Sequence, residues 1–143
     1  MRASQHVSFN RSIPFFFAVL SLFFVYPVVA FACTCPSESD QRAFRRLRSE
    51  ADIIFVGTAR GSVTNGGMNF TVERYWKGKP KSQTFVFTAQ NSSCAVAFAD
   101  GEKYLVIAFV DDKGDINTNQ CLRPGRVCER AMYIKRLGRG RRL

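Results

Sequence analysis

The hydrophobic positions follow three patterns along the chain. A continuous apolar run with no period covers Ile13–Ala32. Helical spacing follows over Pro36–Glu50, where Ala43, Phe44 and Leu47 recur on one face and Ser37 is placed to cap the helix start. The rest of the chain consists of short apolar runs separated by turn signals. The pattern therefore predicts a helix with an apolar face, followed by a series of strands.

Five short segments are predicted as strands: Asp52–Thr58, Met68–Trp76, Gln83–Thr88, Lys103–Val110 and Ile116–Cys121. Turn signals separate them, such as Asn65-Gly66-Gly67. The most continuous apolar run, Lys103–Val110, is typical of a central strand. Several short strands between turns predict a small β-barrel or sandwich, closed by a second helix over Val127–Leu137.

Individual side chains are assigned to the core from the same pattern. In the second strand we expect Phe70, Val72 and Tyr75 to point inward. In the last helix, Val127, Ala131 and Ile134 share one face. Most of the strand phenylalanines lie in apolar runs and are expected in the core: Phe55, Phe70, Phe85 and Phe87.

Residues 1–32 have the features of a cleavable signal peptide. Two arginines form a basic start, the apolar run follows, and Ala30-Phe31-Ala32 places small residues at the two positions that signal peptidase reads. A run of about 20 apolar residues can also span a bilayer, and a cysteine directly after the site allows a lipoprotein. Pro14 and Pro27 disfavour a retained anchor, and Phe31 fits a lipobox poorly. We therefore predict cleavage at Ala32–Cys33, export to an extracellular or periplasmic compartment, and no stable membrane span after cleavage.

Charge and composition limit the function classes. The chain carries 21 Lys and Arg against 11 Asp and Glu, and removal of residues 1–32 leaves a net charge of +8. Five basic residues lie in the last nine positions, and 138–143 is predicted to be a solvated, mobile basic tail, with docking on an anionic surface as the alternative. The only histidine, His6, lies in the predicted signal peptide. Sites built on Ser-His-Asp, Cys-His or His-bound zinc are therefore excluded for residues 33–143.

Five cysteines occur, at Cys33, Cys35, Cys94, Cys121 and Cys128. An exported chain meets an oxidising compartment, where cysteines pair. Cys33 and Cys35 are too close for an easy bridge to each other, so each is expected to reach a distant partner. A thiol metal site is the rival interpretation, although the spacing matches no zinc motif. One cysteine remains unpaired or bridges two chains.

Several motifs together resemble the start of the tissue inhibitors of metalloproteinases (TIMPs), members of the netrin-like (NTR) domain superfamily. They are Cys33-Thr34-Cys35-Pro36, the Gln41-x-Ala43-Phe44 segment and the Ala51–Thr58 run. Later motifs follow in the family's order: Tyr75–Gly78, Ser92-Ser93-Cys94, Gly101–Val106 and Cys121. The resemblance covers nearly all of residues 33–137, which we predict as one domain.

The resemblance implies a mainly β, five-stranded OB-fold (NTR-like) barrel with flanking helices and an N-terminus held by disulfides. It implies the bridges Cys33–Cys94 and Cys35–Cys121, with Cys128 unpaired. It also implies inhibition of zinc metalloproteinases, in which the α-amino group and carbonyl oxygen of Cys33 bind the protease's zinc. Thr34 would enter the protease's specificity pocket. The remaining residues of the inhibitory edge would be Cys35, Pro36, Ser92 and Ser93.

The chain departs from the family in two places. Arg45 stands where the animal inhibitors have a further cysteine, and Pro36 follows Cys35 directly. We also expect no second, C-terminal cysteine-rich domain after Cys128. A non-inhibitory NTR binding module, with a protein or anionic-surface partner, is therefore the alternative function.

Other classes are not expected. No two of the scattered acids form an acid–base couple in the sequence, so we predict no enzyme and no cofactor; these acids are Glu73, Asp100, Glu102, Asp111 and Asp112. We expect no metal of its own, no nucleic-acid partner because export and core-type aromatics oppose it, and a monomer.

Overall fold

A computed structural model describes residues 33–89 and 92–143. The predicted signal peptide and its cleavage site lie outside the described residues. The order of elements is a helix, five principal strands with short additions, and a second helix. Their bounds are α1 Asp40–Glu50, β1 Ile53–Thr64, β2 Gly67–Lys77, β3 Gln83–Thr88, β4 Lys103–Val110, β5 Ile116–Thr118, β6 Gly125–Arg126, α2 Ala131–Leu137 and β7 Arg141–Arg142.

Strands β1 to β5 close into a barrel in the order β1-β2-β3-β5-β4, and β4 pairs back onto β1. The pairing of β3 with β5 is parallel, whereas the other pairings of the barrel are antiparallel. This is a small OB-fold-like barrel, and the predicted fold class is confirmed. The predicted bounds of β3 and β4 also agree with the structure.

The interior of the barrel is filled by a cluster of aromatic rings. Phe70 is fully buried and contacts Phe55, Phe98 and Tyr104 edge to face, at centroid distances of 5.7, 5.0 and 6.4 Å. Edge-to-face contacts of this kind add to the stabilisation that comes from burying the rings. Val72 is buried and Tyr75 packs against the same cluster, so the predicted inward face of β2 is confirmed.

A second core lies outside the barrel, where α1 and α2 cover β1 and β4. The outward side chains of these strands, such as Ile54 and Ile107, pack with Leu47 of α1 and Tyr133 of α2. Both faces of β4 are therefore buried over residues 104–108. This double burial explains why Lys103–Val110 is a continuous apolar run rather than an alternating one.

Both helices begin later than the sequence pattern predicts. α1 starts at Asp40 with Ser39 at the N-cap, so the assignment of Ser37 as the cap was wrong. Residues 36–39 have no regular structure, because the disulfide of Cys35 fixes the chain just before them and Glu38 pairs with Arg46 at 2.7 Å. α2 starts at Ala131, after a turn over residues 127–130. Its buried residue is Tyr133, whereas Ala131 is exposed.

The assignment of Phe85 and Phe87 to the core was wrong. In β3 the buried positions are Thr84, Val86 and Thr88, and the two phenylalanines lie half-buried on the outer face, 4.9 Å apart. The run QTFVFT alternates polar and apolar residues without showing which set points inward. The polar set is tolerated inside because Thr84 donates to the carbonyl oxygen of Lys81, and Thr88 to that of Gly66.

The C-terminal segment also differs from its predicted mobile state. Arg141 and Arg142 form β7, which pairs with Tyr75 and Arg74 of β2. Upstream, Gly138 accepts a hydrogen bond from the indole nitrogen of Trp76 at 3.0 Å. These contacts hold residues 138–142 against the barrel.

Candidate functional site: the disulfide ridge

Two disulfides hold the beginning of the described chain against the barrel. Cys33 pairs with Cys94 and Cys35 pairs with Cys121, as the family resemblance implied. The sulfur of Cys33 lies 3.7 Å from that of Cys121 and 3.9 Å from that of Cys35, so the two bridges pack against each other. We call residues 33–36 and 92–94 the disulfide ridge.

The partner cysteines sit on short segments that are themselves connected. Cys121 lies in a 3₁₀ helix, Gln120–Leu122, capped by Asn119, whose side-chain oxygen accepts from the amide of Cys121 at 3.0 Å. The amide of Gln120 donates to the carbonyl of Cys94 at 3.0 Å, and its side chain donates to the carbonyl of Ala95 at 2.9 Å. The two anchoring segments are therefore bonded to each other as well as to the N-terminal cysteines.

The loop that carries Cys94 is a tight turn. The hydroxyl of Ser92 accepts from the amide of Cys94 at 3.1 Å, and its carbonyl accepts from the amide of Ala95 at 3.0 Å. Ser92 and Ser93 are exposed, as are Thr34 and Pro36, whereas the four bridged cysteines are half-buried. The structure thus connects the predicted inhibitory-edge residues through the Cys33–Cys94 bridge, with small or polar side chains facing solvent.

The helix next to the ridge is tied to the same region. Asp40, the first residue of α1, pairs with Arg123 at 3.1 Å, just after the 3₁₀ helix. Arg123 has a positive φ of 53°, which turns the chain sharply after Leu122. This contact adds a third, weaker link between the N-terminal segment and the Cys121 segment.

Three sulfurs of the two disulfides approach one another closely enough to suggest a metal cluster. The Sγ atoms of Cys33, Cys35 and Cys121 lie within 4.8 Å of one another, and they form the one His/Cys/Asp/Glu group with metal-like proximity in the described residues. All three are oxidised in disulfides, and a metal requires thiolates. The proximity therefore reflects two packed bridges. Cys128, in the turn before α2, is unpaired and exposed.

Several of the acids scattered through the sequence have structural partners. Asp111 accepts from the backbone amide of Asp115 and from that of Lys113, which lowers the pKa of its carboxyl. Asp100 accepts from the amide of Gly61 at 2.8 Å. Glu73 accepts from Lys103 at 2.8 Å and from Thr58 at 3.0 Å, and the hydrogen bond from Lys103 is the main cause of its lowered pKa.

Sequence reasoning missed the surroundings of Glu73. Gly57 of β1 pairs with Val72 of β2, whereas Val56 pairs with Arg74, so Glu73 is the extra residue of a β-bulge. The bulge places the neighbouring side chains of Glu73 and Arg74 in one surface groove. The alternation of polar and apolar residues in β2 does not indicate the bulge at Glu73. Gly57, the glycine opposite the bulge, is the sequence signal that could have indicated it.

A scan against protein-family models and a search of curated proteins both find no match for this chain. None of the helices in the described part of the chain is long and apolar enough to cross a membrane. The two disulfides and the OB-fold-like barrel are the features of the chain that bear on its function.

Proposed function

We propose that the chain, after cleavage between Ala32 and Cys33, inhibits zinc metalloendopeptidases through its new N-terminal residue. The observation that supports this most is the pair of packed disulfides, which fixes the backbone of Cys33–Cys35 beside the Ser92–Cys94 turn. A free α-amine at Cys33 would then be presented from a constrained edge rather than from a flexible tail.

The chemistry of such an edge suits a catalytic zinc. Zinc in a protease keeps one position open for water. An α-amino group has a pKa of about 8, so a useful fraction is neutral near pH 7 and available as a ligand. The amine nitrogen and the carbonyl oxygen of one residue together can chelate the metal and displace that water. Cleavage creates the amine, so export and activation would be the same step.

The neighbouring residues would supply the rest of the contact. Thr34 is exposed between two bridged cysteines, so its side chain can enter a specificity pocket while its backbone stays fixed. Ser92 and Ser93 extend the surface on the other side of the Cys33–Cys94 bridge. Because the disulfides order these segments before binding, less conformational entropy is lost on complex formation.

The disulfides also bear on location. Bridges of this kind persist in oxidising compartments and are rare in the cytosol of mesophiles. Together with the pattern of residues 1–32, they support an extracellular or periplasmic protein. Retention of the apolar run or lipidation of Cys33 would block the amine, and with it the proposed mechanism.

The test compares two proteins that differ by one residue. One begins at Cys33 and the other carries a single alanine before it; both are oxidised and assayed against a panel of zinc endopeptidases. The expected result is inhibition by the first and none by the second, since the extra residue moves the amine away from the zinc. Inhibition by neither form, or by both equally, would reject the mechanism and favour a non-inhibitory binding module.

A further inference from the structure

A basic groove lies on the surface formed by β1, β2, β4, α2 and β7, and it shares no residue with the disulfide ridge. Its volume is about 390 Å³, which falls within the usual range for ligand sites of about 300–1,000 Å³. Among the described residues, three cations line it, namely Arg74, Lys103 and Arg142, against one acid, Glu73. Val56 and Ile134 are among its apolar lining residues.

The backbone brings two of these cations, Arg74 and Arg142, next to each other. The bulge in β2 turns Arg74 into the groove beside Glu73, and Arg142 of β7 is the direct cross-strand partner of Arg74. Like charges that face each other across two strands destabilise the pairing. Among the described residues, neither guanidinium forms an ion pair with a carboxylate; the Glu73 carboxylate pairs with Lys103 instead. An external anion would relieve the repulsion.

Residues 138–140 pack closely against Arg74 and Trp76, two residues that line the groove. A Cβ added to Gly140 would lie 2.9 Å from side-chain atoms of both Arg74 and Trp76, and Gly140 has a φ of +65° that favours glycine. The indole of Trp76 is fixed by its hydrogen bond to the carbonyl of Gly138. The basic C-terminal segment is thus packed so that Arg142 lies at the groove.

We infer that this groove binds an anionic polysaccharide, a sugar chain carrying sulfate or carboxylate groups. The cations suit its charged substituents, and the C–H faces of sugar rings pack on the aromatic and aliphatic side chains that line the site. A planar membrane would contact a protruding surface rather than a recess. Single-stranded nucleic acid needs a series of aromatic rings for successive bases, whereas Trp76 is the one aromatic side chain among the described residues that line this groove.

Binding of a glycan by this groove does not depend on inhibition through Cys33. The groove would retain the chain on an acidic extracellular or cell-surface glycan whether or not the disulfide ridge inhibits a protease. The two proposals can fail separately, because the inhibition assay measures protease activity. The experiment below measures polysaccharide binding at residues far from Cys33 in sequence.

The experiment uses the protein beginning at Cys33, with heparin as the sulfated probe and polygalacturonate as the carboxylated one. Trp76 is the only tryptophan of the chain, so its emission reports directly on the groove. Titrations at about 0.1 M salt, where charges are screened beyond about 10 Å, compare two charge-matched variants. Arg74→Gln/Arg142→Gln changes the groove, and Arg42→Gln/Arg45→Gln removes the same charge from exposed positions of α1.

With at least one of the two polysaccharides, the wild type is expected to show a saturable change in Trp76 emission. The groove variant should bind about tenfold more weakly, through the loss of two partly screened ionic contacts, and with a salt dependence shallower by about two ions. The α1 variant should change affinity less than about twofold. Equal weakening by both variants would overturn the inference, as would no response to either sugar or tighter binding to single-stranded DNA or anionic vesicles.

A second measurement needs no substitution. In nitrogen-15-labelled wild-type protein, the polysaccharide should shift the Trp76 indole signal and the side-chain signals of Arg74 and Arg142. The signals of Arg42 and Arg45 should remain in place. Shifts spread evenly over all arginines would indicate non-specific charge attraction and contradict the groove.

Discussion

Removal of the Cys35–Cys121 bridge, by the double substitution Cys35→Ala/Cys121→Ala, should destabilise the domain without unfolding it. The bridge joins residues 86 apart in sequence, but the Cys33–Cys94 bridge remains in this variant. With the Cys33–Cys94 bridge in place, the Cys35–Cys121 bridge closes only a short loop. This loop consists of the two-residue step from Cys33 to Cys35 and the 27-residue step from Cys94 to Cys121, or about 29 residues.

The length of this loop determines how much stability is lost. Without the bridge the unfolded chain has more conformational entropy, and for a loop of about 29 residues this lowers the free energy of unfolding by roughly 3.6 kcal/mol at 25 °C. For a domain of roughly 100 residues, this lowers the melting temperature by about 15–20 °C. Removing the Cys33–Cys94 bridge instead should cost the same, because either deletion opens the same loop. Deleting both should cost more than twice as much, since the last bridge closes a much longer loop.

The assay is guanidinium unfolding followed by Trp76 emission under non-reducing conditions. All proteins carry Cys128→Ala, which removes the exposed free thiol and prevents disulfide exchange. That substitution alone should change stability by no more than about 0.5 kcal/mol. A loss below about 1 kcal/mol on removal of the Cys35–Cys121 bridge would refute the view that the bridges constrain the chain.

Three further results are expected. Phe70→Ala should destabilise the domain by about 3–5 kcal/mol because it empties the centre of the barrel. Phe109→Ala, at a site 38% exposed, should destabilise it far less. Similar losses for the two variants in thermal unfolding would contradict the assigned core. Gly57→Ala should lower the melting temperature, because its Cβ would lie 2.8 Å from the carbonyl oxygen of Thr71; an unchanged value would argue against the bulge. The hydrogen bond from Lys103 holds the pKa of the Glu73 carboxyl below the ordinary value for a glutamate. Its contribution to stability is therefore present above that ordinary value and is lost as pH falls through the folded pKa. Glu73→Gln should flatten the acid side of the stability profile, with a loss of at most about 1 kcal/mol at pH 7 because the pair is exposed; an unaltered profile would contradict the assignment.

The sequence predicted those parts of the fold that are encoded in local pattern. Lys103–Val110 and Gln83–Thr88 are bounded by turn residues, and their predicted ends agree with the structure. The alternation of β2 correctly placed Phe70 and Val72 inside. The disulfide pairing, in contrast, came from the family resemblance, since cysteine spacing alone left several pairings open.

Features that depend on contacts between distant segments could not be predicted. The outward orientation of Phe85 and Phe87 is decided by which face of β3 meets the barrel interior, and both faces of the run are compatible with its sequence. Arg141 and Arg142 pair with β2 next to the bulge at Glu73, and Gly140 lies close to Arg74 and Trp76, which are distant in sequence. A run of basic residues gives no local signal for a strand, so the tail was interpreted as mobile.

The central claim is that the amine of Cys33 coordinates the zinc of a target protease. The most direct measurement uses a susceptible protease in which cobalt(II) replaces zinc, because the visible spectrum of cobalt depends on its ligands. The protein beginning at Cys33 should change the cobalt bands in proportion to inhibition, and the form with one extra alanine should leave them unchanged. An unchanged spectrum in a fully inhibited complex would contradict coordination by Cys33.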